Sequence, residues 1–167
     1  TINTRGREVS VHIHPDGRTL YFASDGHPGM GGLDLFVSRK DVAGKWGEPV
    51  NLGYPINTNK DENSLMVNAS GEVAYFASDR EGGMGGLDLY SFPMPKRHAP
   101  SRVTYMQGRV HEKGTMKPIG ARFKLVDVAT QEVVAASVSD RTTGEFLVCL
   151  PAKREYALSV DHPDYLF

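Results

Sequence analysis

Residues 21–36 read YFASDGHPGMGGLDLF, and residues 75–90 read YFASDREGGMGGLDLY. These stretches form the centre of an internal repeat in which equivalent residues lie 54 positions apart. When residues 2–37 are aligned without gaps to residues 56–91, 18 of the 36 positions are identical, and Glu8 matches Glu62. A self-match of this length is typical of stacked or radially arranged structural units.

The composition is that of a globular protein without a strongly basic surface. The 167 residues are 40% hydrophobic and include 19 Lys+Arg against 20 Asp+Glu, which gives a formal net charge of −1. Nucleic acid is therefore not an expected partner, because proteins bind it through an excess of positive charge. No apolar run approaches the roughly 18 residues of a membrane helix, so no membrane span is expected.

Each repeat is predicted to form a small antiparallel sheet. Four short strands are expected in the first repeat, at 9–14, 19–24, 33–38 and 49–52. The second repeat carries counterparts of the first three, at 64–68, 73–78 and 87–92. It lacks the fourth and continues into residues 93–100, where three prolines in eight residues cannot extend a strand ladder and predict a stiff linker.

After this segment the repeat does not return, and a different all-β unit is expected. Five stretches alternate apolar and polar residues, at 103–111, 121–128, 132–138, 144–150 and 156–160. Short strands at this spacing predict a small β-sandwich, and no segment has helical periodicity over three turns. The only cysteine, Cys149, lies within one of these stretches and is expected to be a small buried side chain.

The first part of the chain resembles the WD40-like repeats of TolB-type β-propellers. The resemblance rests on Asp-Gly at 16–17, YFASD at 21–25 and GGLDLF at 31–36, with their second copies. The intervening WGEPVNLG at 46–53 is similar to the form that these repeats take in multidomain OmpA-family envelope proteins of Bacteroidota-type bacteria.

The second part resembles a carboxypeptidase regulatory-like domain, which is a transthyretin-like sandwich. The matching motifs are GRV at 108–110, PIGA at 118–121, LVD at 125–127, TGEF at 143–146 and YAL at 156–158. The expected organisation is thus two blade repeats at about 2–55 and 56–92, a linker at 93–102 and a sandwich at 103–167.

The resemblance implies a periplasmic, outer-membrane-associated protein whose partners are other cell-envelope proteins. The family includes a peptidoglycan-associated component of the type IX secretion system, which implies a similar role. Peptidoglycan would be bound through a domain outside this chain, because no OmpA-like domain is present in it. Two blades cannot close a propeller, so further blades are expected upstream in a longer parent protein.

The glycine-rich loops at 26–32 and 82–86 allow three interpretations. A phosphate loop needs a helix after the glycines, whereas each loop here leads into a predicted strand. A calcium site is suggested by the likeness to a nonapeptide calcium repeat, with Asp25, Asp34, Asp79 and Asp88 as candidate ligands. In the third, favoured interpretation, the glycines permit tight connections and these aspartates accept backbone amides, so that no metal or cofactor is needed.

His12 and His14 have the spacing of two residues on one face of a strand, which can chelate a metal. Their counterparts in the second repeat are Met66 and Asn68, and no third ligand is evident, so half-exposed strand residues are the favoured interpretation. The catalytic motifs Gly-x-Ser-x-Gly and His-Glu-x-x-His are absent from the sequence, and no enzymatic activity is expected.

Aromatic residues and methionines are favoured at contact surfaces, which makes Trp46, Tyr54, Met30 and Met84 candidates for docking. Packing of Trp46 between blades is the alternative for that residue. The function expected overall is that of a non-catalytic envelope scaffold that displays a docking surface. The alternatives are a glycan- or calcium-binding module and the accessory domains of an envelope peptidase.

Overall fold

The computed structural model describes residues 2–165, and within that range it contains twelve β-strands and no helix. The strands form several small sheets in which every pairing is antiparallel. The predicted all-β class is confirmed. The chain divides into two compact units, with the boundary between residues 102 and 103.

The first repeat forms a four-stranded sheet, called sheet I here, with the strand order β1-β2-β3-β4. Its strands are β1 (Glu8–Ile13), β2 (Thr19–Ser24), β3 (Asp34–Arg39) and β4 (Val50–Asn51). The second repeat forms sheet II, with the order β5-β6-β7. Its strands are β5 (Glu62–Val67), β6 (Val73–Ser78) and β7 (Asp88–Pro93). Since each strand of sheet II begins 54 residues after its counterpart in sheet I, the sequence repeat is a structural repeat.

Sheets I and II pack face to face through alternate residues of their strands. One buried cluster combines Tyr21 and Leu35 of sheet I with Leu65, Val67 and Phe76 of sheet II. Strand β5 makes the contact from the side of sheet II, because it packs against β1, β2 and β3 of sheet I. Each large apolar side chain that is fully buried contributes about 1.5–3 kcal/mol, so this contact stabilises two sheets that would be marginal alone.

The opposite face of sheet I has its own apolar cluster. Leu20, Phe22 and Phe36 are buried there, and Ile2 and Trp46 pack over them. Both faces of sheet I are therefore at least partly covered, which explains why β2 is buried at every position.

The first strands of the two sheets, β1 and β5, contain a β-bulge at the same point. Ser10 has φ 52° and Ser64 has φ 56°, and the register of each strand shifts beside them. Positive φ is uncommon for residues other than glycine, and a bulge is one of the places where it occurs. The hydroxyls of Ser10 and Ser64 lie 3.5 Å apart, so the two bulges meet where the strands are adjacent.

The proline-rich segment after β7 lies against the first unit. Met94 belongs to the core shared by sheets I and II, and His98 is buried. The Tyr21 hydroxyl donates a hydrogen bond to the His98 carbonyl at 2.6 Å, and Arg39 Nη2 donates to the Ala99 carbonyl at 2.9 Å. The predicted linker was 93–102; Pro93 ends β7, and residues 94–102 belong to the first compact unit, where they pack.

The second unit consists of two small sheets that share a core. Sheet III has the order β10-β9-β12, and sheet IV pairs β11 with β8. The strands are β8 (Val103–Arg109), β9 (Arg122–Asp127), β10 (Val133–Val138), β11 (Glu145–Pro151) and β12 (Tyr156–Asp161). Phe123 and Leu125 of β9 are buried in one cluster with Val148 and Leu150 of β11.

Cys149 is exposed, so the prediction that it is buried is wrong. The physical reason is the alternation of side chains along β11. Val148 and Leu150 point into the core, which places the residue between them on the opposite face.

Candidate functional site

The glycine-rich loops of the two repeats lie at one end of the first unit, joined by the chain between them. The loops connect β2 to β3 and β6 to β7, and residues 51–61 bridge them. Gly32 donates its N–H to the Lys60 carbonyl at 3.3 Å, and Asn51 Nδ2 donates to the Pro28 carbonyl at 3.3 Å. Arg80 Nη1 and Nη2 donate to the carbonyls of Pro55 and Ile56 at 3.2 and 2.7 Å. We call residues 26–32, 51–61 and 80–86 the loop end.

Each loop is fixed by the aspartate that begins the following strand. Asp34 Oδ2 accepts the N–H groups of Met30 and Gly31 at 2.8 and 3.1 Å. Asp88 Oδ2 accepts the Met84 N–H at 2.6 Å. A Cβ at Gly29 would collide with the Asp34 carboxylate, so the absence of a side chain there permits the close approach.

Asp25 and Asp79 accept equivalent backbone hydrogen bonds at the start of the loops. Asp25 Oδ1 accepts the Arg7 N–H at 2.6 Å, and Asp79 Oδ1 accepts the Asp61 N–H at 2.9 Å. The hydrogen bonds from the Arg7 backbone and side chain lower the pKa of the Asp25 carboxyl. The prediction that all four aspartates accept backbone amides is confirmed, although Asp25 and Asp79 bond to the residue just before β1 or β5 rather than within their own turn.

The four candidate calcium ligands are not gathered into one group. Within residues 2–165, no three Asp, Glu, His or Cys side chains are close enough to hold a metal ion together. Asp34 is buried, and its Oδ1 atom has no hydrogen-bond partner in that range.

His12 and His14 have different surroundings, and neither belongs to a group of three potential metal ligands among residues 2–165. His14 is completely buried, with Nε2 3.2 Å from the Asn68 carbonyl, while Nδ1 accepts the Asp16 N–H at 3.2 Å. The prediction of a half-exposed residue is therefore wrong for His14, because both ring nitrogens are satisfied inside the unit. His12 is half-buried and stacks on Tyr21 with 6.4 Å between ring centroids.

Three of the four candidate docking residues are exposed at the loop end. They are Met30, Tyr54 and Met84. Trp46 differs, because it is half-buried against the Leu20, Phe22 and Phe36 cluster, and Lys40 Nζ lies 4.8 Å from its ring centroid. It packs on the face of sheet I that is turned away from sheet II, rather than between the two sheets.

Two residues that fix the loop end were not recognised in the sequence. The Arg80 guanidinium lies 4.8 Å from the Phe76 ring centroid and 5.0 Å from that of Tyr90, and it also binds the carbonyls of the bridging segment. Glu62 is buried and accepts the Thr58 N–H at 2.8 Å and the Ser78 hydroxyl at 2.9 Å. The identity of Glu8 and Glu62 across the repeat was a sequence signal for Glu62. Arg80 stands where the first repeat has Gly26, so the repeat gave no signal for Arg80.

Comparisons with protein-family models, with curated proteins and with solved structures found no match to this chain. Among the described residues there is no helix with the length and apolar character needed to cross a membrane.

Proposed function

We propose that the chain is a non-catalytic protein-docking module of the bacterial cell envelope. In this proposal the sheets of the first unit are two WD40-like propeller blades, and the second unit is a transthyretin-like sandwich. The whole would belong to a periplasmic, outer-membrane-associated protein of OmpA type, similar to the peptidoglycan-associated component of the type IX secretion system. Its partners would be other envelope proteins.

The docking role is proposed because apolar side chains are exposed at the loop end, where hydrogen bonds hold the backbone. Met30, Tyr54 and Met84 are exposed on segments whose backbone is held by hydrogen bonds to Asp34, Asp88 and Arg80. Rigid loops on a sheet framework are a common place for binding residues. Tyrosine and methionine are enriched in protein interfaces, and an ordered loop has less conformational entropy to lose on binding.

The test is capture from an outer-membrane and periplasmic extract with tagged chain 1–167. The docking variant is Tyr54→Ser combined with Met84→Ser. The control variant is Val42→Ser combined with Val11→Ser, which removes two exposed apolar side chains of the first unit that are not part of the loop end. We expect wild type and control to recover the same discrete envelope proteins. We expect the docking variant to recover at least about tenfold less of these proteins, since a single interface tyrosine can contribute 2 kcal/mol or more.

Sedimentation with purified peptidoglycan and melting in calcium complete the test. Equal recovery by all three proteins would contradict the proposal. Retention by peptidoglycan in the absence of protein partners would favour the glycan-binding alternative. A rise in melting temperature on adding calcium would favour the calcium-binding alternative, because a ligand stabilises the state that it binds.

A further inference from the structure

The turns of the first unit meet at the end of its strands that lies opposite the loop end. Connections in an antiparallel sheet alternate between the two ends of the strands, so the turns after β1, β3 and β5 lie on the same side. His14 Nε2 lies 3.2 Å from the Asn68 carbonyl, and Arg39 Nη2 donates to the Arg97 carbonyl at 3.2 Å. These contacts join segments that we call the turn end, which comprises residues 14–18, 39–48, 68–72 and 94–102.

The turn end is basic, although the chain as a whole is not. It contains seven Lys or Arg residues and four Asp or Glu residues, whereas the rest of residues 2–102 contains four and eight. The formal net charge of −1 therefore conceals a first unit with one basic end and one acidic end. Composition predicted no basic surface, because a total charge does not show where the charges lie.

Most cations of the turn end have no carboxylate partner. Within residues 2–165, the first unit forms ion pairs through Arg7, Arg80 and Arg102. Asp16 and Asp41 use carboxylate oxygens to accept N–H groups of their own turns. In the same range, no ion pair is formed by the six other basic residues of the turn end, which are Arg18, Arg39, Lys40, Lys45, Lys96 and Arg97.

The turn between β3 and β4 projects an apolar tip from this basic end. Val42 is 100% exposed, and Lys40 and Lys45 lie on either side of it in the sequence. Arg18 Nη2 donates to the Lys40 carbonyl at 3.3 Å, and Lys40 Nζ lies 4.8 Å from the Trp46 ring centroid. An apolar tip with flanking cations and an aromatic ring suits the boundary of a lipid bilayer, because the tip leaves water while the cations remain at the headgroups.

We propose that the turn end binds the anionic headgroup surface of a lipid bilayer, with Val42 at the headgroup boundary. Each Lys or Arg close to such a surface strengthens binding about fivefold. Further propeller blades would leave this end open, because sheets I and II pack through their faces and not through the ends of their strands. The loop end then faces away from the bilayer. This inference goes beyond the proposed docking function and uses a different surface.

Cosedimentation of purified chain 1–167 with lipid vesicles tests this contact. The anionic vesicles contain about 30% phosphatidylglycerol in phosphatidylcholine, and the neutral vesicles contain phosphatidylcholine alone. The turn-end variant is Lys45→Gln combined with Lys96→Gln, both at exposed positions. The matched control is Lys113→Gln combined with Lys117→Gln, which removes the same charge from exposed positions of the second unit. Circular dichroism checks that all three proteins are folded.

We expect the wild type to bind the anionic vesicles at least about tenfold more tightly than the neutral vesicles. Raising the salt concentration from about 0.05 M to about 0.5 M should release it, because salt screens exposed charges. The turn-end variant should bind the anionic vesicles about thirtyfold more weakly, since it lacks two cations of the contact. The control should stay within about threefold of wild type.

Equal binding to the two kinds of vesicle would overturn the inference, and so would equal affinities of the turn-end variant and the control. Displacement of the chain from anionic vesicles by poly-glutamate at an equal concentration of negative charge would also overturn it, because the turn end would then prefer an acidic protein. Since only purified chain and lipid are used, failure of this contact is measured separately from failure of envelope-partner capture.

Discussion

Glu62 is buried among hydrogen-bond donors. Its counterpart Glu8 accepts equivalent hydrogen bonds but is more exposed to solvent. Glu62 accepts the Thr58 N–H and hydroxyl at 2.8 and 2.6 Å, and Arg80 Nη2 lies 3.4 Å from its Oε1. Glu8 accepts the equivalent N–H and hydroxyl of Thr4 at 3.1 and 2.7 Å, but it is only half-buried. In the first repeat Gly26 stands where the second has Arg80.

We therefore expect Glu62→Gln to reduce the free energy of unfolding of the first unit by about 2–4 kcal/mol. The amide keeps the shape but removes the charge and turns a donor towards donors, which leaves buried groups unsatisfied. Glu8→Gln is the matched control and should cost about 1 kcal/mol, because water can replace the lost bonds. Urea unfolding followed by the fluorescence of Trp46 measures both. Equal losses in the two variants would show that burial and Arg80 do not strengthen the second site.

Two histidines of the first unit give its stability a dependence on pH. Burial lowers the pKa of His12, with a further contribution from the neighbouring His14. Burial also lowers the pKa of His98, together with the charges of Arg97 and Arg39. In the unfolded chain both groups have a pKa of about 6.5, so the unfolded state takes up protons first as the pH falls.

The stability contributed by neutral His12 and His98 is thus fully present above about pH 6.5 and is lost as the pH falls towards their lower folded-state pKa values. We expect the midpoint of the Trp46 unfolding transition to fall between pH 7 and pH 5, before carboxylates are protonated near pH 4. His12→Met, which introduces the residue of the second repeat, should reduce this slope, whereas His111→Gln at an exposed site should not. Stability that is constant or rises on acidification would contradict this account.

At the scale of elements, equivalent residues of β1 and β5 differ in what covers them. Leu65 on β5 is buried in the core shared by sheets I and II, and Val11 on β1 is exposed. Both lie next to the bulge of their strand, so the local backbone is the same. The difference in energy between them therefore measures the contact between sheets rather than strand propensity.

Leu65→Ala should reduce the free energy of unfolding by about 2–5 kcal/mol, because it removes transfer free energy and leaves a cavity. Val11→Ala should change it by no more than about 0.5 kcal/mol, as is usual for surface positions. Urea unfolding at low protein concentration, with Trp46 fluorescence as the signal, distinguishes the two. A large effect at Val11 under these conditions would mean that its side chain is itself covered within a single chain.

The sequence predicted the twelve strands well because turn residues and apolar alternation are local signals. The predicted 19–24 and 73–78 coincide with β2 and β6, and most other strands are displaced by one or two residues. The bulges at Ser10 and Ser64 were missed, since a positive φ at serine is selected by the meeting of two strands and not by the residue itself.

The candidate site was predicted in part for the same reason. Asp34 and Asp88 accept amides of their own loops, and such bonds follow from turn chemistry. Asp25 and Asp79 accept amides from residues 18 positions earlier, and turn chemistry does not specify those partners. The burial of His14 and the place of Trp46 depend on tertiary contacts, which residue type and spacing do not specify. Cys149 was misplaced because an apolar run does not reveal which of its two alternating faces is covered.

At the scale of the whole molecule, residues 94–102 complete the first unit. The segment buries Met94 and His98 in that unit. It also donates the Ser101 N–H to Asp16 Oδ2 at 2.9 Å. Burial opposes the ionised form of Asp16, but the hydrogen bonds around its carboxylate outweigh that effect and hold its pKa well below the ordinary range. A proline-rich segment is stiff, and this stiffness reduces the entropy lost when it packs.

We expect a chain of residues 1–92 to be much less stable than a chain of residues 1–102. Removing 93–102 exposes the core around Met94, at about 1.5–3 kcal/mol, and deprives the buried Tyr21 hydroxyl of its acceptor, at about 1–3 kcal/mol. Together these losses are a large fraction of the 5–15 kcal/mol that stabilises a typical domain. Thermal unfolding followed by Trp46 fluorescence compares the two chains, and Met94→Ala in residues 1–102 isolates the packing contribution. If 1–92 unfolded at the same temperature as 1–102, the segment would be a linker after all, and the boundary of the first unit would lie at the end of β7.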